Sequence, residues 1–361
     1  MKKKIYLLII ILLWTITCSA SESWEILSDR SVIHIGLNTD DFDYEESYDC
    51  SVLKVGDTYH MWYTGEGQPS GVANPSFLSK IGYATSIDGE NWIKQNNGNP
   101  VITFYEIYQI MEEDGTISIF RIDYAHVDRP RVVSTGSGFR IYYLKEEFKE
   151  GLPISETEYV GGVYIPETIW TATSTDGINW ENHESLGIEA DLFSVLYDNG
   201  TIHLWYEKDG TIIYNKGGAI AFEAGDANTW ENNSLRLGCV IKILDGFKMY
   251  YMGNFSEGSD GNVIASIGVA TSSDGKKWNK SSDNPVFHNG GIQGISNSSV
   301  VLPWVLIDDN YNKMYYTIIP NDNESNTIGL AKEKKIDINN DDKFDLKDII
   351  YGLQILTGEK N

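Results

Sequence analysis

The sequence has few basic residues, few cysteines and no long hydrophobic run after its first twenty residues. Lysine and arginine total 28 against 52 aspartate and glutamate residues, which gives a net charge of −24. Such an acidic chain is poorly suited to nucleic acid or to an anionic membrane surface. No later segment is apolar enough to span a membrane, and no long helix is predicted before residue 345. The fold must therefore be sought in patterns of short strands.

Residues 1–20 have the pattern of a secretory signal peptide. Lys2 to Lys4 are basic, the following stretch from Ile5 to Trp14 is apolar, and small residues occupy the cleavage positions. This pattern predicts a protein that is secreted, periplasmic or displayed at the cell surface. Cys18 leaves lipid modification of the exported chain as an alternative.

One phrase of short β-rich segments recurs along the chain. Its clearest copy runs from Ser51 to Trp92 and contains the turn dipeptides Gly56-Asp57 and Asp88-Gly89. The opening strand pair recurs five times, beginning at Ser51, Arg131, Ser194, Val240 and Ser299. Repeats of roughly 45–80 residues built from short strands are typical of a β-propeller with one sheet per repeat. The sequence therefore predicts an all-β fold with five blades.

The phrase ends in Ser-x-Asp-Gly-x-x-Trp at Trp92, Trp180 and Trp278, and Gly225–Trp230 reads as a degenerate copy. We interpret these endings as structural, because Asp-Gly makes a tight turn and Trp fills gaps between sheets.

The fifth repeat stops without a Trp, and the missing segment stands at the other end of the chain, from Trp24 to Val32. This arrangement predicts that the N-terminal strand closes the ring as the outer strand of the last blade. The propeller then spans residues 21–333. Cys50 and Cys239 begin repeats one and four, which are not neighbours in a ring of five, so we expect two buried free thiols.

The Ser-x-Asp-Gly-x-x-Trp phrase resembles the five-bladed propellers of glycoside hydrolase families 43, 32, 62 and 130. The resemblance covers residues 24 to about 333 and is clearest around Asp49–Gly65 and Ile81–Ser86. It implies a carbohydrate substrate and catalysis by two carboxyl groups that flank the glycosidic bond. These families differ in chemistry and include non-catalytic relatives.

The resemblance also implies positions for the acids, at the starts of the innermost strands. Asp49 corresponds to the base of family 43, although Cys50 replaces the proline of the family phrase. Asp128 corresponds to the aspartate that orients the acid, displaced by one residue because Arg129 directly precedes the proline.

Glu189 corresponds to the family's general acid in a Glu-Ala-Pro phrase, with Asp191 in place of the proline. Asp43 and Asp123 are reserve candidates in equivalent places upstream of repeats one and two.

Three cationic side chains, His126, Arg129 and Arg131, cluster around Asp128. They could keep a carboxylate ionised or bind an anionic sugar or phosphate, which leaves phosphorolysis open. The fifth repeat has no histidine at 294–300, where family 43 propellers often use one to hold a channel cation.

Residues 334–361 form a second unit with a calcium-loop pattern. Oxygen ligands at loop positions 1, 3, 5, 7, 9 and 12 alternate as in an EF-hand, with a backbone carbonyl at position 7. These residues are Asp337, Asn339, Asp341, Lys343, Asp345 and Asp348. The pattern predicts bound Ca²⁺. It resembles half of a dockerin, which implies a cohesin-like or cell-surface partner.

A helix is predicted directly after this loop, because apolar residues recur at helical spacing. The stripe consists of Leu346, Ile349, Ile350, Leu353 and Leu356.

Two functional hypotheses follow for the whole chain. The first is a glycoside hydrolase with Asp49 as base, Asp128 as orienting residue and Glu189 as acid, with a glycoside phosphorylase as a variant of it. The second is a non-catalytic carbohydrate-binding or surface propeller that has lost the acids.

Overall fold

The computed structural model describes residues 24–27, 31–67, 78–111, 117–149, 153–155, 158–159, 163–220, 222–226, 229–232, 234–253, 265–288, 298–308, 311–320 and 325–334. These residues form β-strands and one 3₁₀ turn, Asn96–Gly98. No helix among them is both long and apolar enough to cross a membrane.

The strands, in chain order, are β1 (Trp24–Ile26), β2 (Glu46–Val55), β3 (Thr58–Gly67), β4 (Leu78–Ser86), β5 (Ile93–Lys94), β6 (Phe104–Met111), β7 (Ile117–Ser134), β8 (Phe139–Lys149), β9 (Pro153–Ser155), β10 (Glu158–Tyr159), β11 (Val163–Ser174), β12 (Glu181–Glu189), β13 (Leu192–Asp198), β14 (Thr201–Lys208), β15 (Thr211–Tyr214), β16 (Gly218–Ala219), β17 (Leu235–Ile243), β18 (Gly246–Gly253), β19 (Ser266–Ser272), β20 (Asn279–Lys280), β21 (Ser299–Leu306), β22 (Tyr311–Ile319) and β23 (Thr327–Lys334).

Five antiparallel sheets form the blades of a β-propeller, which confirms the predicted fold. From the channel outward, blade 1 is β2-β3-β4-β5, blade 2 is β7-β8-β11-β12, blade 3 is β13-β14-β15-β16, blade 4 is β17-β18-β19-β20 and blade 5 is β21-β22-β23-β1. Strand β6 pairs with the first half of β7, and β9 pairs with β10 as a separate hairpin. We call the face on which the innermost strands begin the upper face, and the face on which they end the lower face.

The N-terminal strand closes the ring, as the sequence predicts. Trp24 pairs with Glu333 and Ile26 pairs with Ala331, so β1 is the outer strand of blade 5. This pairing covers an edge of β23 that would otherwise be exposed. The two thiols of Cys50 and Cys239 are buried and free, also as predicted.

The Ser-x-Asp-Gly turns are structural, because their polar side chains satisfy the amides of the turn. Ser86 Oγ accepts a hydrogen bond from the Gly89 amide at 2.9 Å, and Asp88 Oδ1 accepts one from the Asn91 amide at 2.8 Å. The same bonds recur in the turns at Asp176 and Asp274.

The tryptophan of each phrase packs against an aromatic ring of the preceding blade. Ring centroids are 6.1 Å apart for Trp180 and Trp62, and 6.2 Å apart for Trp278 and Trp205. These edge-on contacts fill the gap between neighbouring blades.

The interpretation of Gly225–Trp230 as a degenerate copy of this ending is wrong. Trp230 packs within its own blade 4, with its ring centroid 5.6 Å from that of Tyr251. Phe42 makes the equivalent contact with Tyr63 in blade 1, at 6.0 Å. The segment therefore precedes blade 4 and does not end blade 3.

One repeated position on the innermost strands joins neighbouring blades. It lies opposite the first member of the adjacent aromatic pair in the second strand and is occupied by Ser51, Arg131, Ser194, Cys239 and Trp304. Ser51 Oγ and Ser194 Oγ each accept a hydrogen bond of 2.9 Å from an amide of the next blade. Trp304 Nε1 and Arg131 Nε donate to backbone carbonyls of the next blade. Position and hydrogen bonding are thus retained while the side chain changes.

Candidate active site

The predicted acids of blades 1 and 2 lie at the upper mouth of the channel, where a β-bulge in the innermost strand positions each of them. Asp49, Arg129 and Leu302 occupy equivalent bulges in β2, β7 and β21, with φ of 37°, 52° and 51°. A left-handed conformation is costly for a residue with a side chain and persists only where the surroundings hold it.

The preceding blade holds each bulge through its amide. Thr317 Oγ1 accepts from the Asp49 amide at 3.0 Å, and Thr64 Oγ1 accepts from the Arg129 amide at 3.1 Å. In the same way, Met252 Sδ accepts from the Leu302 amide of blade 5, and Glu207 Oε2 accepts from the Leu237 amide of blade 4. Blade 2 offers only the apolar Leu144 at this position, and β13 of blade 3 has no bulge.

Asp49 forms a buried bidentate ion pair with Arg131. The distances from Oδ1 and Oδ2 to the two terminal guanidinium nitrogens are 2.7 Å and 3.2 Å, and the two side chains are only 1% and 3% exposed. Arg131 also lies over the rings of Phe193 and Trp304, 5.6 Å from each centroid. The pair therefore ties blade 1 to blades 2, 3 and 5.

Arg129 lies between the two predicted carboxyl groups of this site. Its Nη1 is 4.0 Å from Asp49 Oδ2, and its Nε is 3.9 Å from Asp128 Oδ2. The structure thus brings Asp49 and Asp128 to different nitrogens of one guanidinium group. Asp128 Oδ1 is buried and has no hydrogen-bond partner among the described residues.

Glu167 completes this group and was not among the candidates from the sequence. Its carboxyl group lies beside that of Asp128, and each of the two groups affects the pKa of the other. Burial, followed by the neighbouring charge of Asp128, raises the pKa of Glu167 to about 9. Burial also raises the pKa of Asp128, against the lowering effect of Arg129. A pKa of about 9 keeps Glu167 protonated at neutral pH.

The position of Glu167 explains why it escaped the sequence search. It lies in a bulge of β11, the third strand of blade 2, between Ile165 and Thr168. The acids predicted from the sequence all precede openings of innermost strands. Ser79 occupies the equivalent place in blade 1, with its Oγ 3.5 Å from the hydroxyl of Tyr48. Aligning third strands as well as first strands would have found a carboxyl group where blade 1 has a serine.

The structure does not bring Glu189 into this group. Glu189 ends β12, opposite Thr168, and its side chain is 51% exposed. It forms an ion pair with Lys208 of blade 3 at 2.5 Å. This contact is an exposed ion pair between two surface strands.

Asp43, the first reserve candidate, has a structural role. It accepts hydrogen bonds from Tyr63 Oη at 2.8 Å and from Lys94 Nζ at 2.6 Å. In blade 4 the same arrangement is made by Glu231, Tyr251 and Lys280. A device that is repeated in a second blade belongs to the scaffold. The second reserve candidate, Asp123, lies in β7, and its side chain is outside the described residues.

The surroundings of the Asp128–Glu167 pair are acidic. Glu46 and Glu66 are half-buried on β2 and β3, and burial raises the pKa of each. The charge of Asp128 contributes to the raised pKa of Glu66, which places the two groups close together. In this environment Arg129 carries the positive charge between the acids.

Among the described residues, no group of three or more His, Cys, Asp or Glu side chains could hold a metal ion. The predicted calcium loop, with Asp337, Asn339, Asp341, Lys343, Asp345 and Asp348, lies outside the described residues.

No protein-family profile matches the chain, and no curated protein matches its sequence. Solved structures do match. A glycosyl hydrolase from Bacteroides ovatus aligns over 87% of this chain and 94% of its own, with 16% identity and a TM-score of 0.55. β-1,2-Mannobiose phosphorylase from Listeria innocua aligns over 93% of this chain and 95% of its own, with 13% identity and a TM-score of 0.50.

A third match comes from work on glycoside hydrolase family 130, a family of mannoside phosphorylases that contains hydrolases of β-1,2-mannosidic linkages in Candida mannan. It aligns over 87% of this chain and 94% of its own, with 15% identity and a TM-score of 0.56. At these identities the three similarities show the five-bladed fold.

Proposed function

We propose that the protein is a glycoside hydrolase whose general acid is Glu167. The observation that carries this proposal is the carboxyl pair of Asp128 and Glu167 at the channel mouth, with a pKa of about 9 for Glu167. A carboxyl group that stays protonated at neutral pH can donate a proton to a leaving glycosidic oxygen. The raised pKa follows from burial and from Asp128, as expected where environment separates the roles of two acids.

The reaction follows from these roles. Glu167 gives its proton to the glycosidic oxygen as the bond from that oxygen to the anomeric carbon breaks. Asp49 takes a proton from water, and the resulting hydroxide forms the new bond to the anomeric carbon. Arg131 occupies one lone pair on each oxygen of Asp49, so a lone pair on each remains to accept the proton. Asp128 is the positioning residue, because it holds the proton of Glu167 in place.

The matched structures support a carbohydrate substrate, since they are described as a glycosyl hydrolase, a mannobiose phosphorylase and hydrolases of β-1,2-mannosidic linkages. We take β-1,2-linked mannosides as the first substrates to test.

The arginines favour hydrolysis over phosphorolysis. Phosphorolysis requires an anion site, and the sequence suggested one at Arg129 and Arg131. Every terminal nitrogen of Arg131 is already bonded to Asp49, and Nη1 also donates to the Pro130 carbonyl. Arg129 faces Asp49 and Asp128, which already match its charge. Arg131 is therefore engaged, and a phosphate at Arg129 would have to share that guanidinium group with two carboxylates that lie 3.9 Å and 4.0 Å away.

The test is an assay of the chain from residue 21 onward on β-1,2-mannobiose and on aryl mannosides, arabinosides, xylosides and galactosides, each with and without phosphate. The variants are Glu167→Gln and Asp128→Asn, with Glu189→Gln as the matched control. We expect free sugar without phosphate, lost in Glu167→Gln and retained in Glu189→Gln. Sugar 1-phosphate formed only with phosphate would show a phosphorylase. Absence of turnover on all substrates, with glycan binding intact, would favour the non-catalytic alternative.

A further inference from the structure

The base of the proposed reaction is held by a side chain of blade 5, across the joint where the last blade meets the first. The Asp49 amide donates a hydrogen bond to Thr317 Oγ1 at 3.0 Å, although the two residues are 268 positions apart in the chain. Asp49 and Thr317 are only 1% and 2% exposed. A hydrogen bond that is shielded from water in this way is stronger than an exposed one.

This bond matters because of the backbone conformation of Asp49. The pairing of β2 with β3 shifts by one residue between Tyr48 and Cys50, so Asp49 has no partner in the ladder of the sheet. Its φ of 37° lies in the left-handed region, which a residue with a side chain keeps only where its surroundings hold it. In this conformation the Asp49 carboxylate meets Arg131 at 2.7 Å and 3.2 Å. A change in the bulge would therefore displace the carboxylate.

The equivalent bulges differ in the acceptor that holds them. Three of them contain a left-handed residue with a side chain, namely Asp49, Arg129 and Leu302. Threonine hydroxyls accept from the amides of Asp49 and Arg129, which belong to the site. The Leu302 amide instead meets the sulfur of Met252, and a thioether is a weak acceptor. Of these three bulges, the stronger acceptor thus occurs where the bulge carries a side chain of the site.

Blade 5 is fixed against blade 1 above and below this contact. Below it, Trp304 Nε1 donates to the Val52 carbonyl at 2.9 Å. Above it, the Ser47 amide donates to the Asn326 carbonyl at 3.1 Å. The hydroxyl of Thr317 therefore has a fixed position relative to β2.

We propose that Thr317 is a positioning residue for the base. Its hydroxyl fixes the bulge at Asp49, and the bulge sets the direction in which the Asp49 carboxylate takes a proton from water. The inference rests on the proposed function, because that function gives Asp49 the role of base. It adds blade 5, which the N-terminal strand completes, to the blades on which the reaction depends.

The test uses three variants of the chain from residue 21 onward. Thr317→Val keeps the shape of the side chain and removes the acceptor, and Thr317→Ser keeps the hydroxyl. Ser194→Ala is the matched control, because it removes the acceptor that lies 2.9 Å from the buried Val240 amide, at a joint between blades that carries none of the acids. The measurements are kcat and KM on the substrate that the parent enzyme hydrolyses, and urea unfolding.

We expect Thr317→Val to lower kcat about ten- to hundredfold and to change KM by less than about twofold, because a displaced base impairs the chemical step and not the binding of substrate. Thr317→Ser should restore most of the parent's kcat. Ser194→Ala should lose a similar amount of stability and keep the parent's kcat.

A folded Thr317→Val variant with the parent's kcat would overturn the proposal and leave the hydrolase standing. Equal losses of kcat in Thr317→Val and Ser194→Ala would also overturn it, since the effect would then be one of stability alone. If Thr317→Val does not fold, Thr317→Cys replaces it, because a sulfur acceptor of the kind that holds the Leu302 bulge should keep the fold and still lower kcat. Absence of turnover in the parent overturns the hydrolase, and the role of Thr317 with it.

Discussion

The upper and lower halves of the same five strands do different work. In the upper half, buried carboxylates lie beside guanidinium groups, as Asp49 does beside Arg131 and Asp128 beside Arg129. In the lower half, the same strands present valines to a void. The repeated position at Ser51, Arg131 and Ser194 separates the two halves and carries the bonds between blades. One scaffold thus supports a polar site and an apolar cavity at its two ends.

The contrast between the two halves shows where the side chains contribute less to stability than apolar side chains would. A buried ion pair contributes little net stability compared with well-packed apolar side chains, because desolvation offsets the attraction. The lower half shows that valine suits this channel wall. The ion pair of Asp49 and Arg131 in the upper half therefore indicates that a carboxylate in a fixed position is needed at that end.

The largest expected effect is on catalysis in the upper half. Replacement of the general acid in Glu167→Gln should lower kcat/KM by about 10²–10⁴-fold, with the free energy of unfolding at pH 5 unchanged. In the parent enzyme, activity should fall as pH rises through about 9, because Glu167 then loses the proton it must donate. Asp128→Asn removes a neighbouring negative charge, so the alkaline limb of its residual activity should move to lower pH. An unmoved limb would contradict the pairing.

The same group also gives stability a pH dependence with a defined sign. The pKa of Glu167 is higher in the folded chain than its ordinary value of 4.5, so the folded state binds more protons between pH 4.5 and about 9. The contribution of Glu167 to the free energy of unfolding should therefore fall as pH rises across this range. Urea unfolding of Glu167→Gln at several pH values should show a shallower decline than the parent.

The next largest effect is expected on stability, when the buried ion pair of Asp49 and Arg131 is broken. Arg131→Met removes both hydrogen bonds to Asp49, leaves that carboxylate only the more distant Arg129 at 4.0 Å, and should lower the free energy of unfolding by about 3–5 kcal/mol. Asp49→Leu combined with Arg131→Met should cost clearly less than the sum of the single changes, since no charge is then stranded. Leucine suits the backbone there, because Leu302 occupies the equivalent bulge in blade 5. Additive costs in urea unfolding would show that the pair is not coupled.

A smaller effect on stability is expected at the repeated position that joins the blades, where the upper and lower halves of the innermost strands meet. Ser194→Ala removes the acceptor of the buried Val240 amide and should cost about 1–3 kcal/mol. Val240→Ile, in which the added methyl group faces the cavity, should change the free energy of unfolding by less than about 1 kcal/mol. Thermal unfolding of the two variants side by side makes this comparison. A larger cost for Val240→Ile would mean that the lower half is already filled.

The smallest effect on the propeller is expected from the C-terminal unit, where we propose a calcium site. Terbium luminescence, used as a probe of the loop, should be lost in Asp341→Ala and kept in Asn361→Ala. The free energy of unfolding of the propeller should change by less than about 0.5 kcal/mol in both, as is usual for substitutions outside a packed core. Equal luminescence from the two variants would place the metal elsewhere.

The architecture was predictable because it repeats. Strand openings and Asp-Gly turns recur along the chain and report on local backbone geometry, and the segment at Trp24 supplies the piece that the last repeat lacks. Trp230 misled the prediction because an aromatic residue near a Gly-Asp pair resembles a blade ending when its packing partner, Tyr251, is unknown.

Only part of the site was predictable from the sequence, because some of its residues are positioned by the repeat and others by strand register. Asp49 and Asp128 lie just before the repeated strand openings at Ser51 and Arg131 and could be found from the repeat. Glu167 meets Asp128 through the register of a third strand after an insertion, which no local pattern in the sequence fixes. Glu189 has the right neighbour in Ala190, yet its direction depends on where β12 ends. Ion pairing with Lys208 turns it toward solvent.

The pairing of β1 with β23 also bears on how the chain is made. A ring closed by its two ends has no inherent first blade, so a circular permutant opened in the turn between β16 and β17 should keep every sheet. In the natural order, however, the strand that is synthesised first must wait for one of the last before it finds its partner. Long-range pairings of this kind slow folding, since the intervening chain must first be ordered. For a chain exported in the way its first twenty residues predict, this delay becomes a safeguard, because the ring cannot lock before nearly all of the polypeptide has crossed the membrane.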